Sequence, residues 1–168
     1  MAEAPARRRV STALNSTSSI DRPEVTLRPI GYVLTGLERG TPAQATDNVS
    51  EGEVVVHAEL GEGLKGLEGF DYVWLITWFD RVAGEPAPLE QVPRPLRGTG
   101  RRFGVFATRS PARPNPVGLS LVRVLGIEGT RIRFAGVDLL DRTPVLDIKP
   151  FVPQDDIPAQ GAAARSGF

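Results

Sequence analysis

Proline and glycine constrain this chain more than any other feature of its sequence. The 168 residues include 15 prolines and 18 glycines. Proline removes a backbone donor and fixes φ, and glycine weakens helices, so few stretches can form a long helix. Short strands joined by structured loops are the arrangement that such a chain favours. We therefore predict an all-β domain.

Runs of β-branched and aromatic residues between the turn signals predict about seven short strands. They lie at 25–34, 52–60, 71–79, 103–108, 117–125, 130–137 and 145–148. The run at 71–79 is apolar throughout, which predicts a strand buried on both faces. In the run 130–137, Ile132 and Phe134 alternate with Arg131 and Arg133, which predicts one buried and one exposed face. Together the runs favour a barrel-like single sheet with long Pro/Gly-rich loops and few helices.

The two ends of the chain differ in composition from its middle. Residues 1–24 are rich in Ala, Arg, Ser and Thr without any period, and residues 155–168 have the same character. Such segments are typical of flexible tails. We therefore expect one β-barrel domain at 25–154 between an N-terminal tail at 1–24 and a C-terminal tail at 155–168.

Several classes of site and location are excluded by composition. The chain has no cysteine, so disulfides, thiolate nucleophiles and zinc–cysteine sites are excluded. The single histidine, His57, cannot build a histidine cluster alone, and we expect no metal. No apolar run approaches the roughly 20 residues that a membrane span needs. Arg7, Arg8 and Arg9 are not followed by a hydrophobic segment, so we expect no secretory signal and a cytoplasmic location.

Charge is unevenly distributed, although the formal net charge is zero. No acidic residue lies between Glu90 and Glu128, and seven arginines do: Arg94, Arg97, Arg101, Arg102, Arg109, Arg113 and Arg123. A basic stripe on an otherwise acidic protein is typical of a phosphate-binding surface. Solvated loop arginines that pair with carboxylates elsewhere are an equally good interpretation.

Two segments carry the residue types of a binding site. The first, FATRSPARPNPVGLS at 106–120, has three prolines within six residues. They stiffen a loop that would present Arg109, Arg113 and Asn115 between two strands. The alternative is a stiff connector whose arginines are merely solvated.

The second segment is GVDLLDRTPVLDIKP at 136–150, which places three carboxylates in a short apolar stretch: Asp138, Asp141 and Asp147. A carboxylate can accept hydrogen bonds from both ribose hydroxyls of a nucleoside or lie near a cationic sulfonium. The alternative is turn capping, in which the carboxylates bond local amides.

Together, the stretches ATRSPARPNPVGLSLV and VDLLDRTPVLDIKPFVP closely resemble the signature of the TsaA-like family, also called the TrmO family. The matches IGYV at 30–33, LEGF at 67–70, YVWL at 72–75 and GVF at 104–106 extend the resemblance over about residues 28–154. Characterised members are S-adenosylmethionine-dependent tRNA methyltransferases that act on N6-threonylcarbamoyladenosine beside the anticodon. The resemblance implies a β-barrel homodimer, S-adenosylmethionine as cofactor and tRNA as partner.

By motif position, the resemblance also implies site residues. Cofactor contacts would fall on Pro42, Ala43, Gln44, Asp80, Arg81, Arg109, Leu119, Asp138, Leu139, Leu140 and Asp141. Asp138 and Asp141 are the candidate catalytic residues, since either carboxylate could accept the proton that the methylated nitrogen loses. The tRNA would be held by Arg97, Arg101, Arg102, Arg113 and Asn115.

The chain departs from the family's common pattern at three places. Ala43 stands where an arginine is common, Asp80-Arg81 where a histidine and a glutamine are common, and Arg142 where a glycine is usual. Two other functions therefore stay open. One is a small-molecule methyltransferase on the same fold, and the other is a non-catalytic module that binds S-adenosylmethionine or a nucleotide.

Overall fold

Most strands in the described part of the chain are short, and six of them belong to one sheet. The computed structural model describes residues 24–39, 50–136 and 138–157. The strands are β1 (Gly31–Leu34), β2 (Glu51–Val56), β3 (Tyr72–Trp78), β4 (Glu90–Gln91), β5 (Phe103–Gly104), β6 (Val117–Glu128), β7 (Arg131–Ala135) and β8 (Pro144–Pro150). Short 3-10 turns occupy several loops, and a four-residue helix, α1 (Pro153–Asp156), follows β8.

Six of the strands close into a barrel in the order β1-β2-β7-β6-β3-β8, and every neighbouring pair is antiparallel. Closure gives each strand a partner on both sides, so the barrel itself has no free edge. β4 and β5 pair with each other in a separate two-stranded sheet. The predicted all-β, barrel-like fold is confirmed.

The interior of the barrel is filled by the alternate side chains of its strands. On β7, Ile132 and Phe134 are fully buried, whereas Arg131 and Arg133 are exposed. This confirms the alternation predicted for that strand. The buried apolar core comprises Val33, Val54, Val56, Leu64, Val73, Leu75, Val122, Ile132, Phe134, Leu139 and Val145.

The prediction that β3 is buried on both faces was wrong. Val73, Leu75 and Thr77 point into the barrel and are fully buried, whereas the alternate residues are only half-buried or exposed. A closed single sheet has only one interior face, so apolar side chains on the other face must be covered by loops. Phe151 supplies part of that cover, because its ring makes an edge-to-face contact with Trp74 at 6.1 Å between centroids.

Several strands begin or end at other residues in the structure than the sequence predicts. The run at 25–34 forms a strand only from Gly31, and the run at 52–60 becomes a 3-10 turn from Ala58. The run at 103–108 gives the two-residue β5 and then a 3-10 turn at Val105–Ala107. By contrast, β6 continues past Leu125 to Glu128. Hydrophobic runs mark where strands lie, but pairing partners decide where they end.

One end of the barrel gathers segments that carry several of the predicted site residues. Leu34 of β1 pairs with Glu53 of β2, and Glu51 pairs with Ala135 at the end of β7. The chain leaves β7 there and returns to begin β8 at Pro144. The segment between these two strands, which contains Asp138 and Asp141, therefore lies at this end of the barrel.

Candidate active site

Asp138 is held against the amino-terminal half of β6. Its Oδ1 accepts a hydrogen bond of 2.7 Å from the Ser120 hydroxyl. β7 pairs with β6 only from Arg123 onward, so the segment after β7 runs beside the part of β6 that β7 leaves uncovered. Leu139, the next residue, is 2% exposed and packs into the core. The backbone at this point is therefore anchored inside the barrel.

Burial raises the pKa of the Asp138 carboxyl above its ordinary value. Three weaker effects oppose this change: the hydrogen bond from Ser120, a hydrogen bond from the residue's own backbone amide, and the nearby charge of Arg109. Loss of water disfavours the charged form of a carboxyl group, whereas donors and cations favour it. Asp138 is thus a half-buried carboxylate that binds a proton more readily than an exposed one.

Asp141 lies in a different environment, although it is only three residues further along. Its Oδ1 accepts hydrogen bonds from the backbone amides of Thr35, at 2.8 Å, and Gly36, at 3.1 Å. These two bonds are the main reason that the pKa of Asp141 is lowered. The carboxylate therefore ties the loop after β1 to the segment before β8.

Arg81 joins the same two segments through their carbonyl groups. Its Nη1 donates to the Glu38 carbonyl at 2.6 Å, and its Nη2 donates to the Asp141 carbonyl at 3.0 Å. Asp80 is exposed and begins the 3-10 turn that follows β3. The Arg81 guanidinium thus links the backbone of the loop after β1 to the backbone of the segment before β8.

Arg142 has a backbone conformation that is unfavourable for any residue with a side chain. Its φ is 63°, in the left-handed region that glycine adopts without cost. The backbone amide of Arg142 donates to the Val33 carbonyl at 2.8 Å, which holds the residue in this conformation. The guanidinium lies 5.1 Å from the centroid of the Tyr32 ring, a distance typical of a cation–π contact.

The remaining cofactor residues predicted from motif position differ in exposure. Leu119 is 54% exposed on β6, directly beside Ser120 in sequence. Arg109 is exposed and Leu140 is half-buried. The Leu139 side chain fills the core, so its backbone is the part left for a ligand. Pro42, Ala43 and Gln44 lie outside the described residues.

The residues predicted to bind tRNA lie on two loops. Arg97, Arg101 and Arg102 belong to the loop that joins β4 to β5, and Arg113 and Asn115 precede β6. Arg102 pairs with Glu90 at 3.4 Å and donates to its carbonyl at 2.8 Å. The Arg101 guanidinium lies 5.3 Å from the centroid of the Phe103 ring. One arginine of the basic stripe therefore does pair with a carboxylate, as the alternative interpretation held.

The sequence interpretation did not name Ser120 or Thr35 as site residues. Ser120 belongs to the quoted motif, and it is an inward position in the alternation of β6, where Gly118 and Val122 are also buried. A hydroxyl at an inward position was a signal that could have identified it. Thr35 acts through its backbone amide, and no side-chain pattern marks such a contact.

Two further observations concern metals and membranes. Within the residues that the structure describes, no cluster of three or more His, Asp and Glu side chains could hold a metal ion. Across the same residues, no helix has the length and apolar character needed to cross a membrane.

Comparison with known proteins places these features in a family. The family model described as the tRNA-methyltransferase O N-terminal domain matches residues 36–157. An S-adenosyl-L-methionine-binding protein of Archaeoglobus fulgidus is 34% identical over 132 residues, which cover 77% of this chain and 91% of that protein. A tRNA (adenine(37)-N6)-methyltransferase of Eikenella corrodens is 52% identical over 88 residues, which cover 50% of this chain and 49% of that protein.

A solved structure gives the same result. The crystal structure of TrmO from Pseudomonas aeruginosa superposes with a TM-score of 0.69 and 37% identity, covering 88% of this chain and 62% of that one. The chain thus spans about half the length of the bacterial methyltransferase and less than two thirds of the crystallised protein. It belongs to the family of the tRNA-methyltransferase O N-terminal domain.

Proposed function

We propose that this chain is an S-adenosylmethionine-dependent methyltransferase that N-methylates threonylcarbamoyladenosine beside the anticodon of tRNA. The observation that carries the proposal is the Asp138 carboxylate. It is half-buried at one end of the barrel, bonded to Ser120 and close to the charge of Arg109. It also lies within the segment that the family model matches.

The chemistry of this site suits S-adenosylmethionine, which carries a ribose diol and positive charge. A carboxylate has about four acceptor sites, so Asp138 can bond further hydroxyl groups besides its present donors. The exposed Leu119 side chain adds apolar surface on the adjoining strand. We propose that the cofactor is held by Asp80, Arg81, Arg109, Leu119 and residues 138–141. Pro42, Ala43 and Gln44 would complete the site.

The cofactor supplies a methyl group that is already activated on a sulfonium sulfur. What the chain must add is alignment, a dry site and an acceptor for the proton that the nitrogen loses. Asp138 suits the last role better than Asp141. Burial raises the pKa of Asp138, whereas the pKa of Asp141 is lowered and its Oδ1 already accepts two amide hydrogens.

Turnover of variants at saturating cofactor tests this assignment. Asp138→Ala should lose most of the methyl transfer, and Asp141→Asn should keep more of it, because an amide oxygen still accepts the two backbone hydrogens. Full turnover by Asp138→Ala would exclude Asp138 as the proton acceptor.

For the tRNA we propose a surface formed by Arg97, Arg101, Arg102, Arg113 and Asn115. The slope of log affinity against log salt is negative, and its magnitude should fall by roughly 0.7–0.9 for each phosphate that the protein no longer neutralises. Arg101→Glu with Arg102→Glu should therefore weaken tRNA binding and flatten its salt dependence, while cofactor affinity stays nearly constant. Arg131→Glu with Arg133→Glu, on the exposed face of β7, reverses the same number of charges and is the matched control. An equal loss of cofactor binding would show that the loop is structural.

We also propose that the chain acts as a homodimer, in the cytoplasm where tRNA is modified. Two large apolar side chains that stay exposed in the single chain support self-association: Leu89 is 69% exposed and Phe106 is 80% exposed. Light scattering coupled to size-exclusion chromatography should give twice the chain mass of 18.1 kDa. A mass that stays at that of one chain across the concentration range would exclude the dimer.

The first experiment is calorimetric titration with S-adenosylmethionine and S-adenosylhomocysteine. Binding of both compounds supports the cofactor assignment, and binding of neither overturns it. Transfer of labelled methyl groups to tRNA with and without threonylcarbamoyladenosine then tests the substrate. Cofactor binding without transfer to either tRNA would favour a small-molecule methyltransferase or a binding module.

A further inference from the structure

Ser120 occupies a position in the barrel where a polar side chain is unfavourable unless it is bonded. The residue is 2% exposed on β6, and its cross-strand partner on β3 is the fully buried Leu75. Val122, the next inward residue of β6, is also buried. Burying a hydroxyl without a partner costs free energy, so an acceptor for the Ser120 hydroxyl stabilises the fold.

The acceptor of that hydroxyl is the Asp138 carboxylate, 18 residues away in sequence and 2.7 Å away in space. A distance of about 2.5–2.7 Å is typical of a hydroxyl that donates to a charged oxygen, and such bonds are stronger than neutral ones. The hydroxyl is part of a strand in the barrel wall, whereas the carboxylate belongs to a connecting segment. The Ser120 hydroxyl, fixed on its strand, therefore orients the Asp138 carboxylate.

The backbone beside Asp138 is fixed independently of this bond. Gly136 donates its amide to the Ser50 carbonyl at 2.9 Å, and Leu139 is buried in the core. These two anchors locate the segment, and the carboxylate also accepts a hydrogen bond from the backbone amide of Asp138 itself. The Ser120 hydroxyl differs from that local bond because it ties the carboxylate to a strand of the barrel wall.

We infer that Ser120 is a positioning residue, which holds the Asp138 carboxylate in one orientation at the end of the barrel. The inference rests on the proposed function, because Ser120 would affect methyl transfer only through the Asp138 carboxylate that accepts the proton. Ser120 would not touch the methyl group or the nitrogen. Its removal should change the behaviour of Asp138 while leaving the fold and the barrel core in place.

The test combines a direct titration of Asp138 with steady-state kinetics. In Ser120→Ala we expect the carboxyl pKa of Asp138, followed by carbon NMR, to rise above that of the unmodified protein, because a donor to the charged form is removed. Turnover with tRNA should fall about tenfold or more, which is the size expected when one hydrogen bond to a charged group is removed. The acidic limb of the pH profile should move to higher pH, and Ser120→Thr should restore part of the activity.

Thr77→Val is the matched control. Its hydroxyl is also fully buried inside the barrel, but among the described residues it has no hydrogen-bond partner. In Thr77→Val, the pKa of Asp138 and the pH profile should be the same as in the unmodified protein. An unchanged Asp138 pKa in Ser120→Ala, or equal changes in Thr77→Val, would overturn the inference. The titration needs no turnover, so inactivity of the unmodified protein toward tRNA would count against the proposed function alone.

Discussion

The loop after β1 should depend on the Asp141 carboxylate for its stability. Replacing Asp141 with alanine removes the acceptor of two backbone amides, those of Thr35 and Gly36. A hydrogen bond to a charged group contributes about 1.5–3 kcal/mol. Gly36 is exposed, so water can replace the carboxylate there, and the main loss falls on half-buried Thr35. We expect Asp141→Ala to lower the free energy of unfolding by about 2 kcal/mol at neutral pH.

Urea unfolding measures this loss, and Asp147→Ala is the control. Asp147 lies in the same acidic segment, but it bonds the amide of adjacent Ile148 and pairs with Lys149, both near the surface. Exposed ion pairs contribute about 0–1 kcal/mol, so the free energy of unfolding should fall less in Asp147→Ala than in Asp141→Ala. Asp141→Asn, which keeps an acceptor oxygen, should recover part of the stability. Equal midpoints for Asp141→Ala and Asp147→Ala would refute the reasoning.

Acid should remove the same contribution. Because the folded pKa of Asp141 lies below the ordinary value of 3.8, its stabilising effect is complete above that value. It is lost as the pH falls through the lower, folded pKa. The gap between the unmodified protein and Asp141→Ala should therefore narrow when unfolding is measured progressively below the ordinary value. A gap that is constant with pH would mean that the carboxylate's charge plays no part.

Three further predictions concern other residues of this end of the barrel. The pKa of Asp138 is raised, so ionisation of this carboxyl group destabilises the fold as the pH rises through that pKa. At neutral pH, Asp138→Asn should therefore unfold at a higher urea concentration than the unmodified protein. In acid, where the carboxyl group is protonated, this difference should disappear. Arg142→Gly should be more stable than Arg142→Ala by about 1 kcal/mol in urea unfolding, since only glycine relieves the left-handed backbone; equal stability would contradict this. Thr77→Val should raise the free energy of unfolding by about 1–3 kcal/mol, because it removes a buried hydroxyl that has no partner among the described residues. A loss of stability would contradict the interpretation that this hydroxyl is unbonded.

Much of the fold followed from local features of the chain. Proline and glycine excluded long helices, and the alternation of Ile132 and Phe134 with two arginines identified the buried face of β7. These signals work because a strand's side chains alternate whatever its partner is. These signals could not identify the buried face of β3, because apolar residues occupy both of its faces. Only the closure of the sheet separates the inner face from the outer one.

The sequence by itself also determined the family and the two segments from which the candidate site is built. Tertiary structure decided how the residues of those segments differ. Asp138 and Asp141 are the same residue type in the same short segment. In the structure, however, Asp138 is half-buried against Ser120, whereas Asp141 bonds amides 105 and 106 residues away. No local pattern encodes contacts across such separations, because they exist only once the barrel has closed and brought its strand ends together.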